Sequence, residues 1–149
     1  MINNLYELFL NIDKELKKGI KLEKLKYLLQ EYIGNDWEDY IEYNNKKYIK
    51  KIAFKNELFE IVIISWNNDQ SSSKHDHPSN GCLLKILKGN LLEERYENIY
   101  KIKKKTILNK NSISYIEGSK IIHKIINNTY KSVSLHIYSP SNYIPKIYI

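Results

Sequence analysis

From Tyr48 onward the chain falls into short segments rich in β-branched and aromatic residues, each closed by a turn signal. That rhythm restricts it to an antiparallel β architecture. The segments cover residues 48–54, 58–66, 82–87, 91–96, 99–105, 106–108, 112–116, 120–126 and 132–138. The first two are expected to pair through Lys55-Asn56-Glu57, and residues 82–87 to pair with 91–96 around Lys88-Gly89-Asn90. The lysine run at 103–105 reads as a solvated turn between two strands, and residues 67–74 as a polar, serine-rich loop. Glu117-Gly118-Ser119 and residues 127–131 read as turns, and Pro140 and Pro145 as the end of regular structure.

The residues before Tyr48 follow a helical period instead. Leu5, Leu8, Phe9, Ile12 and Leu16 lie on one face of a helix expected over 4–18, with Gly19 just past its end. A second helix is expected over 22–32, using Leu25, Leu28, Leu29 and Tyr32, and Trp37, Tyr40 and Ile41 suit a third helical turn. The expected fold class is therefore mainly β, an antiparallel β-barrel or jelly roll preceded by two or three α-helices. One domain is expected over 1–149, with a helical part at 1–45 and a barrel at 46–149.

Composition narrows the partners. A hydrophobic content of 42% and a charged content of 28% are those of a soluble globular chain. No stretch approaches the roughly 18 consecutive apolar residues of a membrane span, and residues 1–10 hold Glu7 without a basic leader. A net charge of +7 would suit nucleic acid, but Arg95 is the only arginine. Lys, Ile, Asn and Tyr recur throughout, as an AT-rich coding bias produces. Neither nucleic acid nor a membrane is expected as a partner, and a monomer is expected. Cys82 is the only cysteine, so no intramolecular disulfide can form, which fits a reducing, cytoplasmic setting.

His75-Asp76-His77 carries the chemistry. Two histidines one residue apart at a strand edge point their imidazoles the same way and offer one metal two ligands. Jelly rolls and cupins are the antiparallel barrels that hold ligands inside. His75-x-His77 followed by Cys82 and Gly89 resembles the first cupin motif, with cysteine where most cupins place a glutamate ligand. Ile116-Glu117-Gly118, then His123 and Asn127, is similar to the second, with Ile116 in the usual proline position.

These motifs, together with Ser134-Leu135-His136-Ile137-Tyr138-Ser139-Pro140, resemble the thiol dioxygenases of the cysteine dioxygenase type I family, over roughly residues 48–140. The resemblance implies that His75, His77 and His123 ligate Fe(II) and that the substrates are a small thiol, L-cysteine above all, and dioxygen. Both oxygen atoms would end on sulfur as a sulfinate. It also implies that Tyr138 places its hydroxyl over the reacting atoms, that His136 bonds that hydroxyl and that Ser134 supports His136. Cys82 and Tyr138 match the pair that forms a thioether crosslink in some members.

The chain departs from the family at two places. Lys50 stands two residues after Tyr48, where the family usually carries the arginine that grips the substrate carboxylate. Lysine keeps the charge but not the two-pronged donor; Tyr48 offers a hydroxyl to the same carboxylate. The sequence also stops at Ile149, soon after Pro140, and a more open pocket is expected there. Three other readings follow from these departures: a dioxygenase for 3-mercaptopropionate or another small thiol, a metal-binding cupin without efficient catalysis, and an oxidase of protein N-terminal cysteine.

Overall fold

Leu5, Leu8 and Ile12 are buried together on one face of helix α1 (Leu5–Lys17), whose first turn is closed by Asn4 Oδ1 accepting from the Glu7 amide at 2.8 Å. The computed structural model describes residues 1–118 and 121–149. The second expected helix divides into a 3-10 turn, Leu22–Leu25, and a short helix α2, Lys26–Glu31, and the third is a 3-10 turn, Asp36–Tyr40. Together they bury Leu22, Leu25, Leu28 and Leu29.

The strands are β1 (Ile49–Lys55), β2 (Glu60–Trp66), β3 (Lys74–His75), β4 (Cys82–Lys88), β5 (Leu91–Asn98), β6 (Lys101–Leu108), β7 (Ile113–Ile116), β8 (Ile122–Ile126), β9 (Ser132–Tyr138) and β10 (Ile147–Tyr148). They form two five-stranded sheets, ordered β1-β2-β9-β4-β7 and β10-β3-β8-β5-β6. The outer face of the first sheet packs Ile61, Ile63, Leu83, Leu135 and Ile137 against the helices. Its inner face packs Val62, Ile64, Trp66, Leu84 and Ile86 against Leu91, Leu108 and Ile125 of the second sheet. Burial on both faces is why β2 and β4 read as nearly continuous apolar runs, whereas β9 alternates Val133, Leu135 and Ile137 with buried Ser132, Ser134 and His136.

Four expectations are corrected. β4 and β5 do not pair: β4 lies between β9 and β7, and β5 between β8 and β6. The Gly89 turn, with φ 73°, carries the chain from one sheet to the other instead of folding a hairpin. The lysines at 103–105 lie inside β6, an exposed edge strand, where charge discourages edge-to-edge pairing. The loop at 67–74 ends in β3, and regular structure resumes after Pro145 as β10. The strand expected over 120–126 is described from Ile122; Lys120, like Ser119 of the preceding turn, lies outside the described residues.

One buried charge joins helix and barrel. Lys85 of β4 is 6% exposed, and its ammonium donates to the carbonyls of Leu29 and Tyr32 at 2.7 and 3.0 Å, closing the C-terminus of α2. Burial lowers its pKa. Lys85→Met keeps the stem but leaves both carbonyls without that donor. It is expected to lower unfolding stability by about 2 kcal/mol, measured as a shift of the urea midpoint at constant slope.

Candidate metal centre and active site

Strand β3 pairs with β8 so that His75 stands directly opposite His123, and His77 follows two residues on from His75. The pairing brings three imidazoles together. His77 Nε2 lies 2.9 Å from His123 Nε2, which lies 3.1 Å from His75 Nε2. Among the described residues these three form the cluster able to hold a metal ion.

The remaining ring nitrogens show why the cluster fits a cation. His75 Nδ1–H donates to the Ser73 carbonyl at 2.7 Å, and His123 Nδ1–H donates to Glu93 Oε2 at 2.9 Å. Both rings therefore present an unprotonated Nε2, and two lone pairs face each other across 3.1 Å with no proton between them. Such a contact calls for a positive ion. His77 Nδ1 is buried and makes no regular hydrogen bond, although the Ile121 backbone nearby favours its proton. Burial lowers the pKa of all three histidines, and their mutual repulsion lowers it further for His77 and His123. Neutral rings are the ligating form.

Behind His123 stands a carboxylate that sequence reading missed. Glu93 of β5 is 2% exposed and accepts from His123 through Oε2 and from Arg95 Nε through Oε1 at 3.0 Å. Arg95 Nη2 in turn donates to Ser114 Oγ and the Tyr115 carbonyl at 2.9 and 2.8 Å. The sole arginine thus anchors the acceptor that orients a ligand. Only the alternation along β5 hinted at an inward Glu93 beside Arg95; His123 comes from β8, and the acceptors of Arg95 from β7.

A second hydrogen-bonded chain approaches from β9. Trp66 Nε1 donates to Ser134 Oγ at 2.9 Å, and Ser134 Oγ lies 2.7 Å from His136 Nε2. His136 Nδ1 lies 3.2 Å from Tyr138 Oη. The tautomer that gives each buried proton of this chain an acceptor has Ser134 donating to His136 Nε2 and His136 Nδ1–H donating to Tyr138. The Tyr138 proton is then left free for the cavity. Burial holds the Tyr138 pKa well above its ordinary value and that of His136 well below.

Cys82 is buried directly opposite Tyr138 in the β4–β9 ladder, with Sγ 3.9 Å from His136 Nδ1. Gly81 precedes it at φ 84°, where a side chain would meet the Ile116 carbonyl and the Tyr115 hydroxyl. Burial pushes the Cys82 thiol pKa up. Lys50 lines the cavity with His75, His136 and Tyr138, its ammonium 5.8 Å from the Tyr138 ring centre. Lys50 is exposed as a residue, and desolvation by the surrounding wall lowers its pKa. Tyr48 lines the same cavity and stacks on Trp66 with ring centres 4.6 Å apart. Pro145 and Ile147, from the segment after Pro140, also line it.

A jelly-roll barrel with three inward histidines defines a cupin with a metal-type site. Solved structures share this fold: a Klebsiella pneumoniae protein with a double-stranded β-helix domain aligns with TM-score 0.65 at 15% identity over 76% of this chain and 94% of that one. A cupin superfamily protein from Desulfitobacterium hafniense aligns with TM-score 0.58 at 17% identity, over 68% and 84%. The chain belongs to the cysteine dioxygenase type I family, whose model matches residues 5–147. Cysteine dioxygenase type 1 of Bos taurus is 32% identical over 132 residues, 81% of this chain and 66% of the bovine one. The chain thus spans about two thirds of the length of such relatives. No helix among the described residues is long and apolar enough to cross a membrane.

Proposed function

We propose that the protein is an iron-dependent thiol dioxygenase that oxidises L-cysteine to cysteine sulfinate. The observation that carries this reading is the three-histidine cluster with two opposed lone pairs, facing the Tyr138–His136–Ser134 chain across one cavity. His75, His77 and His123 would hold Fe(II) without a carboxylate, leaving a more positive centre suited to a thiolate. Bound there, Fe(II) supplies the redox chemistry that joins dioxygen to sulfur.

The chain's own residues do the positioning. Tyr138 donates its free proton toward the reacting atoms, and the Trp66–Ser134–His136 chain fixes the direction of that donation. Lys50 offers its ammonium to the substrate carboxylate, with Tyr48 beside it. Cys82, opposite Tyr138, is within cross-strand reach of its ring. A thioether formed there, with two hydrogens passed to dioxygen, would lower the intact mass by those two hydrogens and lock the ring.

The test is to load the protein with Fe(II) under anaerobic conditions and then add L-cysteine and dioxygen. Oxygen uptake matched by sulfinate supports the reading, and iron-loaded protein that makes no sulfinate from any small thiol overturns it. 3-Mercaptopropionate, which presents the same carboxylate and thiol without the amine, is the rival substrate. Lys50→Arg is expected to lower KM for L-cysteine about tenfold, one charge-assisted hydrogen bond, with little change in kcat. Initial rates over a range of thiol concentrations check this.

A further inference from the structure

We propose that residues 143–148 form a strap that limits the size of thiol the cavity admits, and that Asp76 is the positioning residue holding it closed. The proposal rests on the thiol-binding reading above.

Asp76 lies between two metal-type ligands, yet it serves the opposite face. Side chains alternate along an extended segment, so His75 and His77 turn to the cluster while Asp76 turns to the chain's last residues. It is 4% exposed. Its Oδ1 accepts from the Tyr143 hydroxyl and the Lys146 amide, both at 2.8 Å, and its Oδ2 from the Tyr148 hydroxyl at 3.4 Å. Its own amide donates to the Lys146 carbonyl at 3.3 Å. One residue therefore fastens the strap at three positions.

The strap's other face points inward. β10 pairs with β3 so that Ile147 stands opposite His75, and Ile147 and Pro145 line the cavity beside His123 and Tyr138. Neither side chain can donate or accept a hydrogen bond, so both restrict the shape of a ligand instead of gripping its polar groups. Ile147 is 54% exposed. It forms a wall at the mouth, and what passes it is decided by bulk. Because the ligand strand and the wall strand share one ladder and one carboxylate, the wall is set at a fixed place relative to the cluster.

The test uses Co(II)-loaded protein, in which thiolate-to-metal absorption reads thiol binding without turnover. L-Cysteine and the bulkier tripeptide thiol glutathione are titrated into wild type, Asp76→Ala and Ile147→Ala, and amide hydrogen exchange is followed over 143–148. In Asp76→Ala the strap amides are expected to exchange about tenfold faster, and the preference for cysteine over glutathione to fall about tenfold. Ile147→Ala leaves the Asp76 contacts in place and is expected to lower the same preference. An unchanged preference in both variants, or unchanged strap exchange in Asp76→Ala, overturns the proposal. Should Asp76→Ala not fold, Tyr143→Phe replaces it with the same two readouts. A cobalt protein that discriminates by size while the iron protein makes no sulfinate would overturn the dioxygenase reading and leave the strap standing.

Discussion

His123→Ala is expected to abolish stable metal binding and, with it, all turnover. His123 is the ring shared by both short nitrogen contacts, at 2.9 and 3.1 Å, so its loss leaves His75 and His77 without a common centre. Loss of a residue that merely orients a ligand costs about 10–100-fold in affinity, and loss of the ligand itself should exceed that. The effect can be read without catalysis. Metal bound only by the folded state stabilises it by about 2.7 kcal/mol at 100 times Kd. Wild-type protein should therefore melt at higher temperature as Fe(II) is added, and His123→Ala should not. Glu93 in the variant keeps Arg95 at 3.0 Å, so its carboxylate is not stranded and the metal-free fold should survive. Circular dichroism beside metal analysis separates the two losses.

Tyr138→Phe is expected to leave metal content unchanged while lowering kcat by about 10²–10³, the usual cost of removing one oriented donor from an active site. The hydroxyl is no part of the histidine cluster, and it meets His136 at 3.2 Å. Its loss should cost the fold only about 0.5–1.5 kcal/mol. Since burial raises the Tyr138 pKa, the wild-type group stays a donor at every pH below the ordinary tyrosine value of about 10. An alkaline fall in activity below that pH should thus persist in Tyr138→Phe. Steady-state rates on iron-loaded samples of matched metal content make the comparison.

The architecture was legible wherever a strand's neighbours leave their mark on its own residues. β9, expected at 132–138, is found at Ser132–Tyr138, because Val133, Leu135 and Ile137 alternate with Ser132, Ser134 and His136, the period-two pattern of a strand whose two faces meet different neighbours. The β4–β5 hairpin misled because Lys88-Gly89-Asn90 has the chemistry of a tight turn, whereas the partner of each strand is settled by long-range pairing with β9 and β8. The lysine run looked like a turn because an edge strand carries the same charges a turn does. At the site, the motif spacing singled out side chains that the fold does bring together: the three histidines, and Cys82 beside Tyr138. Glu93, Arg95 and Asp76 stayed hidden. Glu93 and Arg95 meet each other along β5, but the residues they serve, His123, Ser114 and Tyr115, lie in other strands, and those of Asp76 near the chain's end; an acidic residue in a strand looks the same whether it meets water, an imidazole or a tail.

In the proposed reaction both atoms of dioxygen pass to the sulfur of a small thiol held beside Tyr138 and the three histidines. Turnover of L-cysteine by iron-loaded protein under ¹⁸O₂, with mass analysis of the sulfinate, tests it most directly. Both sulfinate oxygens are expected to carry the label. A sulfinate with one labelled oxygen or none, or disulfide as the only product, would contradict the account.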